Sequence, residues 1–160
     1  MRAIVACCAA MEVLRSISRR ATIICCAVIS LLRSALLRAE EPAVALRLVA
    51  TTILEQVTQK PEFLNFVRLV IAESGHFPPI AQTFVRNLAK PGIDRLAEYL
   101  ASHPELKLPD PDATARIFIG SLVYFQLTQH MMHGKDIIPM ERDRLIDGLL
   151  HLILSPQSNS

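Results

Sequence analysis

The chain has 160 residues, 51% of them hydrophobic and 20% charged, with 5 glycines and a formal net charge of +2. This is enough apolar material for one folded domain, and it excludes both a disordered chain and a strongly basic nucleic-acid binder. Cysteine occurs only as the adjacent pairs Cys7-Cys8 and Cys25-Cys26, which match neither a CxxC redox motif nor a zinc half-site, so small buried residues in a reducing cytoplasm are the expectation.

Residues 3–11 are apolar, but Glu12, Arg15, Arg19 and Arg20 follow too soon for a secretory signal. The apolar run from Ala21 to Leu32 ends at Arg33, short of the roughly 20 residues that cross a bilayer. A buried helix over 22–39 is expected instead, stopped at Glu40-Glu41-Pro42 because a residue preceding proline is pushed out of helical geometry. A second helix starts at Pro42, carries Val44, Leu48, Val49, Thr52, Ile53 and Val57 as one stripe, and ends at Gln59-Lys60-Pro61. A third runs from Glu62 to Ser74, with Arg68 and Glu73 on its outer side. Gly75 suits the left-handed position that ends a helix, and Pro78 the first turn of the next. A short fourth helix covers Pro79 to Leu88, Lys90-Pro91-Gly92 marks a kink or restart, and a fifth helix continues through Leu100.

The polar, proline-rich stretch from Ser102 to Pro111 reads as a surface loop. Asp110-Pro111-Asp112 then signals a helix start, with Asp110 or Asp112 as the cap. The long helix that follows reaches His133 and is ended by Gly134. After Lys135 to Pro139 a final amphipathic helix carries Met140, Leu145, Ile146, Leu149, Leu150, Ile153 and Leu154, and residues 155–160 form a frayed polar tail. Sustained period-two alternation is absent from the sequence, so the fold class is all-α.

The order Arg68-Leu69-Val70-Ile71-Ala72-Glu73-Ser74, Gly75-His76, then Phe77-Pro78-Pro79-Ile80-Ala81-Gln82-Thr83-Phe84 resembles the C-terminal regulatory domain of TetR/AcrR-type transcription regulators, especially the AefR-like group. Further words fall in the family's order and spacing: Ala97-Glu98-Tyr99-Leu100, Leu106 to Ala113, and Ala115-Arg116-Ile117-Phe118-Ile119-Gly120. The resemblance covers about residues 45–154. It implies antiparallel helices around a cavity for a small lipophilic effector, and a homodimer in which the last two helices of each subunit form a four-helix bundle.

Members of that family begin with a three-helix DNA-binding unit containing a helix-turn-helix. Its tight turn requires glycine, and the first glycine of this chain is Gly75. Arg33, Arg38 and Arg47 could touch phosphates, yet no DNA-binding site is identifiable. The expected organisation is therefore a poorly matched segment over 1–40, a remnant or a misregistered gene start, followed by a regulatory domain over 41–154 and the tail.

Two sites follow from the resemblance. The effector pocket would be lined by Phe63, Phe66, Val70, Phe84, Leu88, Leu96, Tyr99, Phe118, Leu122 and Gln126, which combine apolar bulk with few polar tips. The dimer interface would use Ala113, Ile117, Gly120, Tyr124, Leu127 and Met131 from one helix and Leu145, Leu149, Leu152 and Ile153 from the last. The first of these helices also carries the stripe Phe118, Leu122, Phe125, and burial of both stripes within one subunit is the competing reading.

His130 and His133 share a helical face but lack an acidic partner at fixed spacing, so no metal site is assigned. No cofactor is implied. Neither a nucleophile elbow nor a phosphate-binding glycine loop occurs, which makes catalysis the least supported class. Two alternatives stand beside a regulator domain whose own DNA binding is lost. One is an interaction protein forming heterodimers with a full-length TetR-type relative, the other a small membrane-associated helical protein.

Overall fold

A computed structural model of the protein describes residues 29–36, 41–59 and 61–155, with the side chains of 56–59 left aside. The expectations for residues 1–28, the cysteine pairs, Arg38, Val57 and the tail beyond Ser155 lie outside the described residues. Within them every regular element is helical: a stretch over 29–36 (α1), Pro42–Gln59 (α2), Pro61–Glu73 (α3), Pro78–Phe84 (α4), Lys90–Ala101 (α5), Pro111–Gln126 (α6) and Arg142–Leu154 (α7). No described helix is long and apolar enough to cross a membrane.

The core is built where α2, α5, α6 and α7 meet, with Leu32 and Ala35 of α1 joining it. Leu46, Leu54, Leu96, Leu100, Phe118, Leu122 and Ile146 are its most deeply buried large side chains. Removing Phe118 from water alone is worth about 2 to 3 kcal/mol. The stripe expected on α2 is rotated: Ala45, Leu46, Val49, Ala50 and Leu54 point inward, whereas Val44 and Leu48 are exposed. Ala45 and Ala50, both fully buried, lie on this inward side, where small side chains let α2 lie close to its neighbours. Gln126 of α6 donates to the carbonyl of Leu54 across the same contact, at 2.8 Å.

Two helices run on through wide turns instead of stopping. Val85–Ala89 is a π-helical turn linking α4 directly to α5, with the Lys90 amide donating to the Val85 carbonyl. In a regular α-helix the Pro91 ring would collide with the carbonyl four residues earlier. The wider turn placed just before it lets the chain continue, so the expected restart is a continuous bent helix. Leu127–Met131 is a second π-turn, extending α6, with the Met132 amide donating to Leu127 at 2.9 Å.

Helix ends differ from expectation in three places, one of them the start of α7, which begins at Arg142 and leaves Met140 outside the helix. No glycine among the described residues has a positive φ. Gly75 therefore does not end α3 by a left-handed turn. The break comes at Phe77, which takes φ −134° and ψ 76° because it precedes Pro78. At the end of the α6 extension the left-handed residue is His133, at φ 56°, not Gly134. Gly134 is needed for space: a Cβ there would lie 2.7 Å from the Thr128 carbonyl oxygen. Asp110 caps α6 as one of the two expected readings, accepting from the Ala113 amide at 2.9 Å. The connection before it is only partly a surface loop, for it holds the 3-10 turn Pro104–Leu106 and seats Leu106 and Leu108 against the core.

Candidate functional site

On α6 the two apolar stripes separate at their centres. Ala115, Phe118, Leu122 and Phe125 are buried, while Ile117, Tyr124 and Gly120 face outward, Ile117 at 65% and Tyr124 at 63% exposure. Residues at 117, 120, 121, 124 and 128 fall on one side of a 3.6-residue helix, opposite the inward set. The competing reading, burial of both stripes within one subunit, is thereby corrected for α6. Of the remaining α6 positions assigned to an interface, Ala113, Leu127 and Met131 are half-buried.

α7 divides the same way, but less generously than expected. Leu149 and Ile153 belong to the subunit's own core, with Ile146 and Leu150. This corrects their assignment to an intersubunit surface. Leu152 is 69% exposed and Leu145 half-buried. Between them lies Gly148, which, like Gly120, has no neighbouring atom within 4 Å of a Cβ position. Each helix thus carries a large apolar residue, an open glycine three residues on, and a second large residue four further.

Between α6, α7 and the 134–140 connection lies an open, mainly apolar groove of about 650 Å³. Its walls include Ile117, Gly120, Tyr124 and Leu145, all assigned to the interface, together with Ser121, Phe125, Thr128, Gln129, Ile138, Pro139 and Met140. The groove exists because the connection folds back on α6. Amides of Ile137 and Ile138 donate to Gly134, and the buried Gln129 holds the carbonyl of Ile138 at 2.7 Å. Hydroxyls on the floor are turned away from it: Ser121 donates to Ile117 and Thr128 to Tyr124, at 2.8 and 2.9 Å. Sequence reasoning missed the role of Gln129 and of residues 138–140, since a contact between a helix and the loop after it leaves no periodicity. The adjacent Ile137-Ile138 pair in a polar connection was the only signal.

None of the residues assigned to an effector pocket lines this groove. They fall into three groups. Leu96, Phe118 and Leu122 are in the core cluster, with Leu88 against it. Phe63 and Val70 are buried on α3, where half-buried Phe66 meets Phe84 with ring centroids 6.0 Å apart. The Tyr99 ring meets that of His103 at a tilt of 53°, centroids 4.6 Å apart, and Gln126 bonds to Leu54. Two polar atoms in the last group are buried without a hydrogen-bond partner among the described residues, the Tyr99 hydroxyl and Gln126 Oε1. Burial, and then the Glu105 carboxylate, raise the Tyr99 phenol above its ordinary pKa.

Arg68 on α3 joins these regions. Its guanidinium donates to the carbonyls of His130 and Met131 at 3.3 and 3.4 Å, at the end of the α6 extension where helix carbonyls lack intrahelical donors. The His130 ring lies edge-on to Phe125, 6.2 Å between centroids. Its pKa is lowered first by burial and then by Lys135. No group of three metal-ligating side chains comes together among the described residues.

Neither a curated protein nor a solved structure matches the chain. A family model for the C-terminal domain of AefR-like transcriptional repressors matches residues 44–155, from the first turn of α2 to just past α7. That span contains the four-helix core, both open glycine stripes and the groove, and it is well over half of the chain. With its all-helical fold, the chain belongs to the family of AefR-like transcriptional repressor C-terminal domains.

Proposed function

We propose that this chain is the sensing and dimerising part of a TetR-type regulator, pairing with a second copy through the outer faces of α6 and α7. The observation that carries the reading is the pair of open glycines. A glycine inside a helix costs roughly 0.5 to 1 kcal/mol relative to alanine, and neither Gly120 nor Gly148 relieves a contact within its own subunit. Their absent side chains make sense if another helix approaches there. The large exposed Ile117, Tyr124 and Leu152 flank them, an apolar surface of the kind homodimers bury.

An effector site fits the interior between α3, α5 and α6. The unpartnered Tyr99 hydroxyl and Gln126 Oε1 would orient a small lipophilic molecule carrying one polar group, because buried polar atoms otherwise find partners. Binding that shifted α3 would reach the end of α6 through Arg68, and a population shift between two subunit arrangements is the expected output. No DNA reader is assigned, so the output in this chain is the state of the dimer, or pairing with a full-length relative. A reducing cytoplasm is the expected compartment.

Light scattering on the eluting protein at micromolar concentration tests the reading. The intact chain should elute as a dimer, and Tyr124→Glu, which places a charge on an already exposed position, as a monomer with unchanged helical circular dichroism. An intact chain that elutes as a monomer would end the proposal. A thermal-shift screen of lipophilic compounds tests the pocket, with stabilisation expected to vanish in Gln126→Leu.

A further inference from the structure

Gly92, Arg95 and Tyr99 are spaced three and four apart, which puts them on one side of α5. At Gly92 that side lies under α1, with Ile29 and Leu32 side-chain atoms 3.8 Å from a Cβ placed there. Arg95 and Tyr99 are half-buried, and the Arg95 Nε and the Tyr99 hydroxyl are closed off from solvent without a hydrogen-bond partner among the described residues. The contrast with Arg68, the other half-buried arginine among them, is plain. Its guanidinium is bonded to the His130 and Met131 carbonyls, whereas Arg95 has neither an ion pair nor a hydrogen bond there. We infer that Arg95 and Tyr99 are the paired donors for the carboxylate of an effector whose remaining body is apolar. This rests on the effector reading above and names the ligand's chemical class.

The chemistry of the two groups selects the class. A guanidinium N–H can only donate, and a buried cation needs an anion beside it. Carboxylate oxygens match the planar edge of arginine and form the stronger, charge-assisted kind of hydrogen bond. A phosphoryl group fits less well, because it brings more oxygens and more charge than one guanidinium and one phenol can serve. It would also stand near Glu105, whose carboxylate already acts on the Tyr99 phenol. Glu105 is held by His103 at 2.6 Å, and the His103 ring lies against Tyr99. Beside the donors on α5, Leu96 and Leu100 belong to the core and offer apolar surface. Without a ligand the arrangement weakens the fold, since a buried donor left unbonded has lost its hydration for nothing. Arg95→Met should therefore abolish the preference for an acid without lowering the stability of the free chain, a combination that a purely structural arginine does not produce.

The test uses the full chain with octanoate and phenylpropionate, each beside the corresponding alcohol and alkyl phosphate, read by calorimetry and thermal shift near neutral pH. The acids should bind about tenfold or more tighter than either counterpart. Arg95→Met should remove that preference and melt no lower than the intact chain, Tyr99→Phe should reduce it, and Arg95→Lys should retain part of it. Alcohols that bind as well as the acids, or a preference that survives Arg95→Met, overturn the carboxylate assignment while the effector site stands. Tighter binding of the phosphates overturns it in favour of a phosphoryl ligand. An Arg95→Met chain that melts well below the intact one shows the guanidinium to be structural and overturns it too. If neither acid binds while a neutral compound from the lipophilic screen does, the assignment falls and the site stands. If nothing binds, both fall.

Discussion

The side-chain amide of Gln126 donates to the backbone carbonyl of Leu54 at 2.8 Å, joining two helices whose residues lie 72 positions apart in sequence. Gln126 is 5% exposed, in contact with an otherwise apolar core. Gln126→Ala removes the bond and leaves a cavity, so it should lower stability by about 2 to 3 kcal/mol in urea unfolding. Gln126→Met keeps most of the volume and should lose less. Equal losses in the two variants would show that the bond, and not the filled space, matters.

His130 sets an acid-side limit on stability. Its folded-state pKa is depressed below the ordinary 6.5 by burial and by Lys135. Between the depressed value and 6.5 the unfolded chain binds the proton more readily, so stability falls as pH drops through that window. The urea midpoint should decline from pH 7.5 to pH 5, and His130→Asn should flatten that decline. An unchanged slope in the variant would place the acid sensitivity elsewhere.

Gly134 and Gly75 should respond oppositely to alanine. At Gly134 the new Cβ meets the Thr128 carbonyl oxygen at 2.7 Å, a backbone atom that cannot swing aside. Gly134→Ala should cost about 1 to 3 kcal/mol and loosen the fold-back of residues 137–140. At Gly75 nothing lies within 4 Å and φ is not positive, so Gly75→Ala should be neutral or stabilising by up to about 1 kcal/mol. Thermal unfolding of the two variants side by side checks both signs.

Local signals in the sequence were readable where one residue type answers one backbone need. Proline and aspartate at 110–112 marked the start of α6 and Pro42 the start of α2, whereas Pro61, read as the end of α2, is the first residue of α3. Glycine misled twice because it was given a conformational role: Gly75 adopts no left-handed turn, and Gly134 serves close approach while His133 takes the positive φ. The inward stripe of α6 was legible from its large residues. The rotation of α2 was not, since Ala45 and Ala50 carry little hydrophobic weight yet lie deepest. Leu149 and Ile153 were leucine-rich surface in sequence and core in space, because which side of α7 faces α2 depends on contacts 100 residues apart, such as Arg47 with Asp147. The groove was invisible for the same reason, being made by a loop that returns to its own helix.

Gly120→Leu tests the central claim most directly, because the two effects it should produce have opposite signs. The site is open within the subunit, and replacing a mid-helix glycine should raise the subunit's own stability by roughly 0.5 to 1 kcal/mol. The same side chain would hold the two α6 helices apart. Sedimentation equilibrium at micromolar concentration should therefore give a dimer of the 17.8 kDa chain for the intact protein and a monomer for a variant that unfolds no more easily. A variant that associates as tightly as the intact chain, or an intact chain that is monomeric throughout, would contradict the account.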